Sequence, residues 1–209
     1  MAGGRIHPPP PRLAIPVHYD FASTICYVAH RVLERMQPDL DALGVTLDWR
    51  PVDLVDLSGW PRGSTIEGPR RDNSLRVARE LDVSVHMPTT FFDSRAAHAV
   101  AIALAGDPRA PTWRERVWSA VFEESRDIGS SGEVDRLARD LGIDLDALAG
   151  ARDLTSVEQA TTAARDIDVT GVPTFYVGFP LGGIQQPPTM RLLFQRWVDK
   201  TRERENAPD

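Results

Sequence analysis

The chain of 209 residues holds a single cysteine, so it cannot form an intramolecular disulfide or run dithiol chemistry alone. Long apolar runs are also missing. No stretch approaches the roughly 20 residues needed to cross a bilayer. The opening MAGGRIHPPPPR lacks the apolar centre of a signal peptide, so a cytoplasmic protein with no membrane partner is expected. Positive charge is in deficit, with 24 Lys and Arg against 30 Asp and Glu and a net charge of −6. That balance argues against a nucleic-acid partner, because a phosphate backbone asks for a basic surface. The pair Arg70-Arg71 reads as the solvated start of a helix.

Metal-ligand spacing is lacking too. His7, His18, His30, His86 and His98 show no short pairing and there is no Cys-x-x-Cys, so no metal site is expected. No G-x-G-x-x-G, Walker-type loop or G-x-S-x-G elbow occurs, and nothing repeats at a fixed period.

What is present is a soluble composition, 42% apolar and 26% charged, that can bury a core. Pro8 to Pro11 mark a floppy or polyproline-like tail. Leu13 to Tyr19 is a short apolar run, and Pro16 inside it should leave an irregularity or an unpaired amide. Ile25, Val28, Ala29, Val32, Leu33 and Met36 follow helical spacing over 24–36. Val45, Leu47 and Trp49 alternate as a strand does over 45–54. These segments make a strand–helix–strand unit whose crossover suits a parallel pair.

From 59 to 168 the pattern turns helical, at about 72–81, 93–105, 113–127, 133–141 and 155–167, with Thr155-Ser156-Val157-Glu158 as a capping box. Five helices without strands suggest an all-helical insert. Strand character returns at Val172 to Val177 and again near Leu181 to Ile184, a hairpin. Met190, Leu193, Phe194, Trp197 and Val198 mark a closing helix. The α/β order is strand–helix–strand, helical block, strand–strand–helix. The division expected is a sheet domain over 13–58 and 169–203, the insert over 59–168, and tails at 1–12 and 204–209.

Ser23 precedes the first helix as a candidate N-cap, and Cys26 falls in its first turn. Helix amides and the dipole favour a thiolate there, so Cys26 acidity above that of a free thiol is expected. An external thiolate could instead be held at the same tip by the Ser23 hydroxyl. The plain alternatives are a mere cap and a small buried hydrophobe. His18, near the end of the first strand, could approach as a general base or simply pack. His98 lies on the 93–105 helix as a substrate contact or a solvated residue, and Trp60 could line a cleft or pack beneath its connector. Adjacent Glu123 and Glu124 point about 100° apart on a helix and read as surface charge.

Asp20-Phe21-Ala22-Ser23-Thr24-Ile25-Cys26-Tyr27 resembles the active-site turn of the DsbA-like branch of the thioredoxin superfamily, with Ser23 at the first cysteine position. Gly171-Val172-Pro173-Thr174-Phe175 is similar to its second signature, whose proline is cis and faces that turn. Arg50-Pro51-Val52 and Glu123 to Gly129 also resemble the subgroup of 2-hydroxychromene-2-carboxylate isomerases, kappa-class glutathione transferases and polyketide-pathway relatives.

The resemblance implies a thioredoxin fold with an all-helical insertion, and a homodimer. It implies that Ser23 sits beside the sulfur of glutathione or another low-molecular-weight thiol, with Val172, Pro173 and Gln185 toward the ligand. The activity implied is thiol-assisted isomerisation of a conjugated small molecule. A monothiol oxidoreductase, a transferase and a non-catalytic binding module are the alternatives. Ser23-Thr24-Ile25-Cys26 departs from the S-P-Y-S of the isomerases, and Gly183 to Pro188 looks more like the polyketide-pathway relatives.

Overall fold

The computed structural model describes residues 11–205. The stretch 1–10, which carries most of the proline-rich tail, and residues 206–209 lie outside the described residues.

The first strand, β1 (Leu13–Tyr19), runs through Pro16 without a break in register. It pairs in parallel with β2 (Val45–Pro51), Leu13 opposite Val45 through Tyr19 opposite Pro51. The expected irregularity is absent, and the antiparallel partner on the other side meets β1 only at Val17 and His18. Between β1 and β2 lie α1 (Thr24–Arg35) and a short α2 (Gln37–Leu43). The second of these carries Pro38 in its first turn and ends at Gly44, whose φ of 69° is the left-handed conformation glycine adopts freely.

A five-residue α3 (Leu54–Ser58) follows β2, capped by Asp53, whose carboxylate accepts from the amides of Val55 and Asp56. The helical block comprises α4 (Gly68–Glu80), α5 (Arg95–Ala103), α6 (Ala110–Phe122), α7 (Glu133–Asp140) and α8 (Leu154–Arg165). Both α4 and α6 start earlier than apolar spacing indicates, because Pro69 and Pro111 open them. The end of α6 comes early, followed by Ser125 with a φ of 58°. At α8 the cap is Asp153, accepting from the Thr155 amide, rather than the expected Thr155 capping box.

The hairpin is β3 (Thr174–Tyr176) and β4 (Pro180–Gly182), and α9 (Pro187–Glu205) closes the described chain. Helix therefore persists through Arg204 and Glu205, where a tail was expected. The four strands order as β2-β1-β3-β4. One core lies between the sheet and α1 and α9, built on Ile15, Val17, Val28, Val32, Phe175, Phe194 and Val198. A second joins the end of β1 to the helical block through Tyr19, Phe21, Cys26, Trp113, Trp118 and Phe122. No helix of the described residues is long and apolar enough to cross a membrane.

Candidate functional site

The turn between β1 and α1 is where the two cores meet. Ser23 adopts extended φ and ψ of −89° and 111°, and its Oγ accepts from the Cys26 amide at 3.3 Å, an N-cap as expected. No acidic side chain lies in the first turn of α1, so the partial positive charge of its amide end meets no anion from within the helix. Ser23 itself is only 5% exposed.

Cys26 corrects an expectation. It is fully buried, and burial pushes its thiol up to about 12. The neighbouring Ser23 hydroxyl pulls the other way without prevailing, and the nearby Asp20 carboxylate adds to the rise. The dipole argument fails because removing the sulfur from water disfavours the thiolate more than the helix end favours it. Cys26 is a small core residue, packed in the cluster of Phe21 and Trp118.

Asp20 holds the turn. One carboxylate oxygen accepts from the Ala22 amide and the Ser94 hydroxyl, each at 2.7 Å, and the other from the Leu54 amide. Burial alone would raise its pKa, but His98 and these donors outweigh that and hold it below the usual carboxylate value. His98 belongs to this buried knot and stands on no solvated face. It is fully buried, stacks on Phe21 at 4.8 Å, and brings Nε2 to 3.2 Å from Asp20 without the alignment of a hydrogen bond.

The Val172–Pro173 peptide bond is cis. Pairing of His18 with Thr174 brings Pro173 to the end of β1, from which the Ser23 turn departs. Pro173 is buried and Val172 half-buried, packed against Val52 and against the Tyr19 cluster.

A family profile, the DSBA-like thioredoxin domain, matches residues 14–193. This chain belongs to that family. The DSBA-like chain is similar to the uncharacterized protein YwbO of Bacillus subtilis, 23% identical over 177 residues that cover 78% of this chain and 86% of YwbO. A structure of a 2-hydroxychromene-2-carboxylate isomerase superposes with a TM-score of 0.69 at 19% identity, covering 94% of this chain and all of that one. The cytosolic disulfide reductase DsbM from Pseudomonas aeruginosa, solved with GSH, gives a TM-score of 0.56 at 18% identity over 93% of this chain and 100% of its own.

The remaining candidates disperse. His18 is 3% exposed, and it lines a cleft of about 740 Å³ that includes neither Ser23 nor Pro173. Burial first, then Arg50, lowers its pKa. Trp60 packs at 5.2 Å from Phe91 beneath the Arg70 guanidinium, 3.7 Å from its ring, so Arg70 covers an aromatic face and is not merely solvated. Gln185 is exposed ahead of α9, while its neighbour Gln186 donates to the Glu80 carbonyl.

Two groupings escaped the sequence reading. Glu123, at the end of α6, accepts from the Tyr27 hydroxyl at 2.8 Å and from Arg31 at 2.6 Å. His30, Glu34 and Glu115 bring ligand-type atoms within 4.8 Å of one another. The one-turn spacing of His30 and Glu34 was a signal on α1, but Glu115 comes from α6. His30 and the Arg31 guanidinium hold the Glu115 carboxyl down at about 2, so this grouping is already neutralised by a resident cation.

Proposed function

We propose that the chain is an isomerase, shifting the geometry or position of a double bond in a conjugated small molecule with a thiol supplied from outside. The observation that carries this reading is the Ser23 hydroxyl at the N-cap of α1, the position that the resemblance to the DsbA-like active-site turn matches to a first cysteine. Two features fit a low-molecular-weight thiol such as glutathione. The first turn of α1 holds no acidic side chain of its own, and the Asp20 carboxylate beside it is engaged by the Ala22 and Leu54 amides and Ser94. Val172, beside the cis bond and outside the β3 ladder, keeps its backbone for an extended peptide-like ligand.

When bound, the thiol supplies reversible addition to an electron-poor double bond, which rotates while single. The residues of the chain do the rest. Ser23 donates its hydroxyl proton toward the sulfur, the α1 amides stabilise negative charge, and Asp20 keeps the turn in register. Cys26 has no part in the reaction.

Maleylacetone, a cis-enone, is a suitable probe with glutathione present. Thiol-dependent conversion to the trans isomer is expected in the wild type, reduced in Ser23→Ala and retained in Cys26→Ala. The absence of thiol-dependent conversion, or an unchanged rate in Ser23→Ala, would overturn the reading.

The near-complete burial of Ser23 and of Pro173 favours a second reading, a thioredoxin-fold module that binds without chemistry. Ligand binding that survives replacement of Ser23 and Cys26 together by alanine, in a wild type that converts no probe, would support it.

A further inference from the structure

Arg114 projects from α6 with its guanidinium 4.9 Å from the centroid of the Trp49 ring, and its Nε has no hydrogen-bond partner. Burial lowers its pKa, the mark of a cation that has lost water without gaining a matching contact. The carboxylates around it are committed elsewhere. Asp48 pairs with Arg50 at 2.8 Å and Asp107 with Arg109 at 2.7 Å. Glu115 and Glu34 are held by His30 and Arg31.

Arg114 lines the 740 Å³ cleft together with His18, whose side chain is buried against the Thr174 backbone. Leu47 on β2, Ile102 on α5 and Ala160, Ala163 and Ile167 on and after α8 form an apolar wall, while the paired Asp48 and Arg50 and the Arg109-bound Asp107 also line the cleft. The Arg114 guanidinium is half-buried on the cleft wall and no hydrogen bond or ion pair among the described residues engages it, so a guest in the cleft meets a cation without a protein partner. A planar guanidinium over an aromatic face is suited to a carboxylate. The volume falls within the roughly 300–1,000 Å³ of small-molecule sites.

We propose that this cleft binds an organic anion, a carboxylate carried on an apolar body. Arg114 takes the carboxylate, His18 closes the polar end, and the alanine and isoleucine wall of α5 and α8 takes the body. The site is separate from the Ser23 turn, and stands whether or not the isomerase reading does.

Calorimetric titration with naphthoate and with neutral naphthamide tests it. The wild type should bind naphthoate at least about tenfold more tightly than naphthamide, the scale of one charged hydrogen bond. Arg114→Met should erase that preference while keeping naphthamide affinity, and Arg79→Met, outside the cleft, should leave it intact. Thermal unfolding checks that Arg114→Met folds, and Arg114→Gln replaces it if it does not. Equal binding of the two probes by the wild type, no binding of naphthoate, or a preference that survives in Arg114→Met would overturn the proposal.

Discussion

The Asp20 carboxylate at the Ser23 turn and the Arg114 guanidinium in the cleft are treated in opposite ways. At the turn, the Asp20 carboxylate meets two amides and a hydroxyl, and Ser23 caps α1. In the cleft, the half-buried Arg114 guanidinium meets only the Trp49 ring and no hydrogen-bond or ion-pair partner among the described residues. A satisfied buried network adds to folding stability, whereas an unsatisfied buried charge subtracts from it. The first arrangement builds a frame, and the second is retained at a cost that only a ligand would recover.

Asp20→Ala is the strongest test of this contrast. It strands three donors in the core and should cost about 3–5 kcal/mol, or prevent folding, in chemical denaturation. Asp20 is also held below its ordinary value of 3.8. Its contribution is therefore complete above that pH and lost as pH falls through the lower folded-state value. Stability measured across the acid range should decline more steeply in the wild type than in Asp20→Asn.

Next comes Cys26. A thiol raised from 9.0 to about 12 has roughly a thousandfold less thiolate at neutral pH than a free one. Alkylation by iodoacetamide should be slowed accordingly in the native protein and released by denaturant. Rapid native alkylation would contradict the burial of Cys26.

Ser23→Ala removes a cap and should cost about 1 kcal/mol, read by the same denaturation experiment. The smallest effect has the opposite sign. Arg114→Met replaces an unpaired half-buried charge with an apolar side chain, and should leave stability unchanged or raise it by up to about 1 kcal/mol. A substantial loss would mean that the arginine is structural.

Much of this frame was visible in the sequence. The apolar periodicities of β1, α1, β2 and α9 survive packing because each lays one face on a core. The cap at Ser23 was legible as local chemistry, and the cis bond at Pro173 through the family resemblance alone. The short helices α2 and α3 were not, since they rest on terminal devices, Gly44 and Asp53, rather than on a long apolar stripe. Cys26 was misjudged because a helix position reveals the dipole but not the aromatic wall of Phe21 and Trp118 around it. His98 looked like a surface residue until tertiary contacts set it against Asp20. The Arg114 cleft could not be seen at all, because the lack of a partner is a property of the assembled core.

Asp20 also restricts how the molecule can move. Its carboxylate ties the turn before α1, the first residue of α3 and Ser94 at the mouth of α5 into one rigid knot. Any breathing of the helical block against the sheet must then pivot about that knot. The same α5 that starts at this knot carries Ala101 and Ile102 on the wall of the cleft, so the anchor and the cleft share one helix.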